Sequence, residues 1–511
     1  MAAGPSPRAR NDPGTRFRHC HPRQGGISPR YVLRARRDPR DFQLIRITPL
    51  ILAVALFMEN MDSTVIATSL PAIAADIGTS PIALKLALTA YFVSLAIFIP
   101  ISGWMADRWG ATNIFRIAIG VFVLGSIACA YSNSLPTFVF SRFLQGVGGS
   151  MMTPVARLVL VRATPRSELV GAMAWLTVPA LVGPLIGPPL GGFLTTYLSW
   201  HWIFWINVPI GIVGIVLASR FLPLAETRIP RPIDGLGFVL CAIAFSGFIF
   251  GLSVISLPAI PTVAGYAAVA VGIVSGIVYL GHARRTEFPL LEPKLLRNKL
   301  FRSAMIGGLL FRIGIGAFPF LMPLMLQLTF GLNPFESGLT TFVAAIGAIL
   351  SKFLAERLYA RFGFPRMLTT TALIGSAFLA VNGLFSPETP YLLLIACLFV
   401  GGVVRSFFFT GANVLGYADV AETEASQATV IAAVNQQISV ALGVALAGGV
   451  LELSANLSGD GLGLADFQIA WFVVAAVAGL SVIPFLRLPP DAGSNVSGHR
   501  AKPLPRAEAI A

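Results

Sequence analysis

Two carboxylates lie within a long apolar stretch near the start of the chain. Glu59 and Asp62 occur in the sequence MENMDSTVIATSLPAIAADI at 58–77, inside an apolar run that begins near Ile47. They are three residues apart, so a helix carries both on one face. An ionised carboxylate at the centre of a bilayer costs about 2.5–3.5 kcal/mol on insertion scales. Both acids are therefore expected to face the protein interior or a wet cavity, where acids are candidates for a transport site.

Composition indicates the environment in which these acids lie. Of the 511 residues, 55% are hydrophobic and only 12% are charged, whereas soluble domains carry about 25% charged residues. The apolar runs are long and do not alternate, which predicts membrane-spanning helices rather than barrel strands. The net charge of +14 lies mostly in short loops and at the N-terminus. We therefore interpret it as a topology signal and not as a nucleic-acid surface.

The apolar runs predict an all-α polytopic membrane protein with fourteen spans. The predicted spans are 46–68, 83–105, 112–132, 137–160, 168–192, 202–221, 234–255, 261–281, 303–329, 338–358, 367–385, 391–416, 427–451 and 467–487. Lys and Arg concentrate in alternate connections, which places both termini in the cytoplasm. Lys85, in a connection otherwise poor in basic residues, is the exception.

A weak internal repeat suggests two related halves. GWMADRWG at 103–110 follows the second span and ERLYARFG at 356–363 follows the tenth. Six helices, two extra helices and six more helices would give this spacing. The expected divisions are a disordered basic tail at 1–45, a first half at 46–221, a linker with two extra helices at 222–302, a second half at 303–488 and a tail at 489–511.

Several motifs in the right order resemble those of the major facilitator superfamily. The chain is most similar to its fourteen-helix drug:proton antiporters, over about 46–487. The first motif is MDSTVIATSLPAIAADIG at 61–78. The resemblance implies proton or cation coupling at Asp62, with Glu59 beside it. The alternative is an acid that only pairs with a basic neighbour.

The second and third motifs are GWMADRWG at 103–110 and RFLQGVGG at 142–149. For Gly103, Asp107, Arg108 and Gly110, the resemblance implies a conformational latch on the cytoplasmic side.

Arg142 lies about 10 Å into the membrane at 1.5 Å per residue, so it could meet Asp62 and hold that carboxylate charged. The resemblance gives this arginine a role in proton transfer. Gln145 would share its face and is a candidate for the substrate cavity. A fixed structural ion pair remains the alternative.

The fifth predicted helix contains GPLIGPPLGG at 183–192. Gly183, Gly187 and Gly191 recur on one face and would let another backbone approach closely, and Pro184 adds a kink. Within the superfamily this pattern accompanies antiporters, and plain helix packing is the alternative. A further family signature, WHWIFWINVPIG at 200–211, suits the outer interface.

The second half contains basic residues within its apolar runs. Arg312 and Arg405 have no acid in their own helices, so they line a cavity or find partners elsewhere. Near aromatic residues they could bind a carboxylate or stack on aromatic ligands. Gln327 is a further cavity candidate, and Lys352 is expected to pair with Glu356.

We therefore expect a secondary active transporter of the bacterial inner membrane that exports drugs or amphipathic small molecules in exchange for protons. The alternatives are an exporter or uptake carrier for an anionic metabolite, bound by the intramembrane arginines, and a receptor without transport. The expected partners are a small-molecule substrate, protons and the lipid bilayer. We expect no enzymatic activity, cofactor, metal or nucleic acid and no required oligomer, and efflux partners in the periplasm are unknown.

Overall fold

The computed structural model describes residue 4 and residues 39–164, 169–222, 232–255, 261–421, 424–458 and 462–494. Within these ranges there are eighteen α-helices, two short 3-10 segments and no β-strand. The first ten helices are α1 (Pro39–Val65), α2 (Leu70–Asp76), α3 (Lys85–Trp109), α4 (Ala111–Ala130), α5 (Leu135–Ala163), α6 (Leu169–Tyr197), α7 (Trp202–Trp205), α8 (Asn207–Phe221), α9 (Gly235–Val254) and α10 (Thr262–Ala283). The others are α11 (Lys299–Leu328), α12 (Pro334–Leu350), α13 (Lys352–Phe362), α14 (Phe364–Asn382), α15 (Tyr391–Tyr417), α16 (Ala425–Ser458), α17 (Leu464–Gly479) and α18 (Val482–Leu486).

The long apolar runs form helices because a helix satisfies every backbone hydrogen bond within its own segment. In the described part, eleven helical stretches are long and apolar enough to cross a membrane, and α12 is apolar but shorter. These findings confirm the predicted all-α polytopic membrane protein. The count of fourteen spans and the cytoplasmic position of the termini stay predictions.

Three predicted spans are not single helices in the structure, and in two of them the next helix begins with a proline in its first turn. The first predicted span, 46–68, forms α1 and a 3-10 turn at Ile66–Thr68, and the helical path continues beyond the predicted end as α2. The sixth is divided into α7 and α8. Pro71 and Pro209 lie in the first turns of α2 and α8, where a missing N–H removes no helical hydrogen bond. The tenth predicted span is also divided, at Ser351 between α12 and α13.

Residues from Leu44 onward form one compact unit. Most of the predicted tail at 1–45 and the tail beyond 494 lie outside the described residues, but α1 already begins at Pro39. The repeat motifs form the same turn. α3 ends at Trp109 and is followed by Gly110 (φ 85°), and α13 ends at Phe362 and is followed by Gly363 (φ 74°). Another helix begins directly after each glycine. Glycine suits both positions because φ is positive there.

The two extra helices form a hairpin of closely packed backbones. A Cβ built on Gly272 of α10 would lie 2.4 Å from the backbone nitrogen of Phe248 on α9. α9 also packs against α3 and α16. The hairpin therefore contacts both halves of the molecule (46–221 and 303–488) and lies along one seam between them.

The halves meet most extensively through α6 with α12 and α3 with α16. Gln327 Nε2 donates to the Thr68 carbonyl oxygen at 2.9 Å, and the Phe335 N–H donates to Thr196 Oγ1 at 3.2 Å. Both bonds lie at the end of the molecule that contains the turn between α1 and α2, here called the outer end after the predicted topology. These contacts close the seam at that end.

A buried ion pair joins the halves at the same end. Lys85 Nζ lies 2.8 Å from Glu452 Oε2, and the Lys85 side chain is fully buried. A Cβ on Gly448 would lie 2.4 Å from Lys85 Cδ, so glycine makes room for the lysine. This explains why Lys85 departs from the loop-charge pattern. Its ammonium group forms an ion pair between two helices and does not lie in a loop.

We predict that Lys85→Met loosens the outer end, because it leaves Glu452 buried without its cation. Removing one partner of a buried pair costs about 3–5 kcal/mol. The measurement is maleimide labelling of Thr68→Cys in a chain whose native cysteines are replaced by serine. We expect faster labelling in Lys85→Met and a partial return towards the parent rate in Lys85→Met/Glu452→Gln. Lys294→Met, which removes an exposed lysine, is the control. Equal rates in all four chains would contradict the prediction.

Candidate functional site

The site begins with the Asp62 carboxylate on α1, which is fully buried. Its Oδ2 accepts a hydrogen bond from Arg142 Nη1 at 2.7 Å. Its Oδ1 accepts from Gln145 Nε2 and from Asn207 Nδ2, each at 2.8 Å. Three charged or amide donors from α5 and α8 therefore surround one carboxylate inside the first half. The contact between Asp62 and Arg142 that the sequence suggested is present.

Small residues of α5 let the neighbouring helices approach these polar groups. A Cβ on Gly146 would lie 2.6 Å from the Tyr91 carbonyl oxygen on α3. One on Gly148 would lie 2.4 Å from the backbone nitrogen of Phe122 on α4. The motif RFLQGVGG thus combines two buried polar residues with glycines that let α3 and α4 close around them.

Asn207 is a site residue that the sequence reasoning missed. It is the first residue of α8, and its Nδ2 also contacts Ser126 Oγ at 3.0 Å. Ser126 in turn donates to the Phe204 carbonyl oxygen at 2.9 Å. Asn207 lies within WHWIFWINVPIG, which was interpreted as an interface motif. An amide in an otherwise apolar run was the available signal.

Glu59 has different surroundings from Asp62, although one turn of helix separates them. Its Oε2 accepts a hydrogen bond from Thr153 Oγ1 at 2.8 Å, and the residue lines the space between the two halves. The two acids are therefore not a pair. One is sealed within the first half and the other faces a cavity.

The central cavity has a volume of about 510 Å³, which is within the usual range for small-molecule sites. Glu59, Tyr91 and Pro184 line it from the first half, and Arg312 and Arg405 from the second. It is the candidate substrate site.

A larger space of about 970 Å³ lies between α3, α5, α9 and α16 and is mostly apolar. Its one ionisable lining residue, Glu452, already pairs with Lys85. We therefore do not assign the substrate to it.

Two of the predicted cavity residues lie elsewhere. Gln145 is fully buried beside Asp62, and Gln327 forms its bond to Thr68 at the outer end. Neither is among the residues that line the central cavity. The face of α5 that carries Gln145 turns towards Asp62, and Gln327 lies one turn beyond the cavity-lining part of α11. Lys352 donates to Thr410 Oγ1 at 2.6 Å, and the side chain of its expected partner, Glu356, lies outside the described part.

Tyr91 connects the sealed site with the cavity. The guanidinium carbon of Arg142 lies 4.4 Å from the centroid of the Tyr91 ring, which is a cation–π distance. The Tyr91 hydroxyl is buried and has no hydrogen-bond partner in the described structure. Tyr91 also lines the cavity, so one ring contacts both places.

The proposed latch residues lie at the end of α3. Asp107 forms an ion pair with Arg162 at the end of α5. Arg108 and Gly103 are exposed, and Gly110 ends the helix. The acid of this motif is therefore held by a residue that the sequence motif does not contain, and both partners belong to the first half.

The glycines of α6 pack directly against the segment that carries the two acids. A Cβ on Gly187 would lie 2.0 Å from Thr64 Oγ1, and one on Gly191 would lie 2.2 Å from the Val65 carbonyl oxygen. Gly183 likewise approaches the backbone of α1. This close approach requires residues without a side chain, as the spacing predicted.

Buried charge around a cavity between two halves of a helical membrane protein is typical of transporters. Residues 52–283 and 304–511 match the family model described as Major Facilitator Superfamily. The chain belongs to this superfamily.

The chain is 36% identical over 458 residues to "Putative multidrug resistance protein MdtD" of Escherichia coli O6:H1, covering 88% of this chain and 96% of that protein. The identity and coverages are the same for the protein of that name from Shigella flexneri. This chain is a multi-pass protein of the bacterial inner membrane.

Solved structures support the fold. A mutant of the nucleoside transporter NupG superimposes with a TM-score of 0.59 at 14% identity, covering 86% of this chain and 99% of that one. A POT family transporter in complex with a thioalcohol-conjugated peptide gives a TM-score of 0.65 at 14% identity, covering 85% and 94%.

We predict that Gln145→Ala and Asn207→Ala each lower stability by about 1–3 kcal/mol, because each removes a donor to a buried carboxylate. The measurement is the thermal unfolding midpoint of the purified protein. Asn113→Ala is the control, since the amide of Asn113 makes its hydrogen bond at the surface. Midpoints that match the control for both variants would show that Asp62 does not depend on these donors.

Proposed function

We propose that the chain exports drugs or other amphipathic small molecules in exchange for protons. The observation that supports this proposal is the Asp62 carboxylate, which is buried in the first half and bonded to Arg142, Gln145 and Asn207. A carboxylate in such surroundings has two stable forms that differ in charge. The ionised carboxylate only accepts hydrogen bonds and therefore needs the N–H donors around it, whereas the protonated carboxyl also donates one and needs fewer donors.

Protonation of Asp62 would weaken its attraction for Arg142. Arg142 lies against Tyr91, and Tyr91 lines the cavity. A change at the sealed carboxylate can therefore reach the cavity through one guanidinium and one ring. In the opposite direction, a substrate that displaces Tyr91 would disturb the ion pair and favour exchange of the proton.

The described form is closed at the outer end, a form that exporters and uptake carriers share, so the direction of export rests on the similarity to multidrug resistance proteins. The seam is held at the outer end by Gln327 with Thr68, Phe335 with Thr196 and Lys85 with Glu452. Under the predicted topology, this form receives substrate from the cytoplasm. Rocking of the halves would then open the outer end, with α6 of the first half moving against α12 of the second, where Gly192 lets the two backbones approach.

The breadth of substrates is supported by two observations. Relatives that are 36% identical carry a multidrug resistance name, and the lining of the cavity is more apolar than polar. The comparisons do not favour the alternative of a dedicated carrier for an anionic metabolite.

The latch is the second conformational element of this proposal. It would steady the inner end while the outer end is closed, and we assign to it Gly103, Asp107, Arg108 and Gly110.

We predict that Asp62→Asn abolishes proton exchange, because an amide cannot release a proton near neutral pH and has no charge to pair with Arg142. The measurement is proton release from proteoliposomes when substrate is added. Asp76→Asn, which changes a half-exposed acid of α2, should retain exchange. Full coupling in Asp62→Asn would reject the assignment of Asp62.

We also predict that Tyr91→Phe keeps coupling, whereas Tyr91→Leu reduces it. Phenylalanine retains the ring beneath Arg142 and loses only a hydroxyl without a partner, while leucine removes a cation–π contact of about 0.5–2 kcal/mol. Protons moved per substrate should be unchanged in the first variant and lower in the second. If both variants couple as the parent chain does, Tyr91 is not the connection.

A further inference from the structure

The central cavity contains two guanidinium groups that are not balanced by a carboxylate. Arg312 lies on α11 and Arg405 on α15, and both line the cavity. Arg312 Nη2 donates to Asn413 Oδ1 at 2.8 Å, which is a neutral partner. Among the side chains that the structure describes, no carboxylate lies within 4.0 Å of either guanidinium.

The contrast with the other buried charges is informative. Arg142 pairs with Asp62 and Lys85 pairs with Glu452. A charge removed from water is costly unless another charge or several hydrogen bonds compensate it. Among the described side chains, Arg312 and Arg405 have no carboxylate partner of this kind, and both face the central cavity.

The charge of the cavity lining is therefore positive. Among the described residues that line it, the only acid is Glu59, which accepts its hydrogen bond from Thr153. Two guanidinium groups and one carboxylate leave one positive charge when Glu59 is ionised, and two when it is protonated. Either state attracts an anion and repels a cation.

The surroundings of the arginines also define the rest of the ligand. The Arg405 guanidinium carbon lies 5.0 Å from the centroid of the Phe318 ring, and that of Arg312 lies 5.2 Å from the Phe409 ring. Both rings line the cavity. A guanidinium near a ring can still offer N–H groups to two oxygens of a carboxylate. The rings then provide apolar surface for the body of the same molecule.

We propose that the substrates of this cavity are amphipathic organic anions, whose carboxylate binds Arg312 and Arg405 while an apolar or aromatic body packs on Phe318 and Phe409. This inference rests on the proposed function, because it takes the central cavity as the transport site. It adds the charge of the substrate, which the similarity to multidrug resistance proteins does not give.

The charge of Glu59 should weaken the binding of an anion in the central cavity. Its negative charge opposes an anion in the same cavity, so its protonation assists binding instead of competing with it. Exchange of protons for such a substrate therefore depends on Asp62 and not on competition at Glu59. Removing the charge of Glu59 should tighten anion binding.

Three probes of similar shape and different charge test the proposal. They are 2-naphthoate, 2-naphthylmethanol and 2-naphthylmethylammonium, and their binding to the full chain in nanodiscs is measured by calorimetry. We expect the parent chain to bind naphthoate about 10-fold or more tightly than the other two. Arg312→Gln and Arg405→Gln should each weaken naphthoate about 10-fold to 100-fold, the size of a lost charged hydrogen bond. Neither should change the affinity for naphthylmethanol.

Matched variants separate the loss of charge from damage to the fold. Arg312→Lys and Arg405→Lys keep the charge and should retain most of the naphthoate affinity. Arg302→Gln removes an exposed arginine of the same helix α11 and should change nothing. Glu59→Gln should tighten naphthoate binding. Equal affinity for the three probes, preference for the ammonium, unchanged naphthoate binding in both Gln variants, or weaker binding in Glu59→Gln would each overturn the proposal.

Flux in proteoliposomes distinguishes this inference from the proposed function. If a proton gradient drives naphthylmethanol but naphthoate has no advantage in binding, the anion site is wrong and transport stands. If naphthoate binds through the arginines but a proton gradient moves none of the three probes, the anion site stands and proton-coupled transport is wrong.

Discussion

A carboxylate that has no access to water must find its hydrogen bonds within the protein, and much of the first half is arranged to meet that need at Asp62. Arg142 and Gln145 come from α5 and Asn207 from α8. Glycines of α5 and α6 let the helices around this carboxylate approach at backbone distance. The acid that is most costly in a bilayer thus specifies how several helices must pack.

The two halves use charge differently. In the first half, the buried charge of Asp62 is compensated within the bundle, at some distance from the ligand space. In the second half, Arg312 and Arg405 face that space with neutral or aromatic neighbours. The proton and the substrate can therefore occupy separate places that communicate through packing. Tyr91, the ring shared by the sealed site and the cavity, is suited to carry that communication.

The class of fold could be predicted because twenty apolar residues in succession have few stable forms in a bilayer. The meeting of Asp62 and Arg142 could also be predicted, since depth along a helix follows from residue counting. The rotation of each helix could not. Gln145 therefore turns towards Asp62 and away from the cavity, Gln327 lies beyond the cavity at the outer end of α11, and Asn207 was not recognised as a donor. Lys85 was visible as an exception in the charge pattern, but its partner is 367 residues away along the chain.

The position of the α9–α10 hairpin has a consequence for the surrounding lipid. α9 packs on both α3 and α16 along one seam, whereas the opposite seam is formed by α6 and α12. The two flanks of the transporter are therefore not equivalent. On the flank covered by the hairpin, a lipid-dissolved molecule meets an extra wall of helix before it reaches the central space. The two flanks therefore present different surfaces to the lipid, which makes the protein asymmetric in the plane of the membrane.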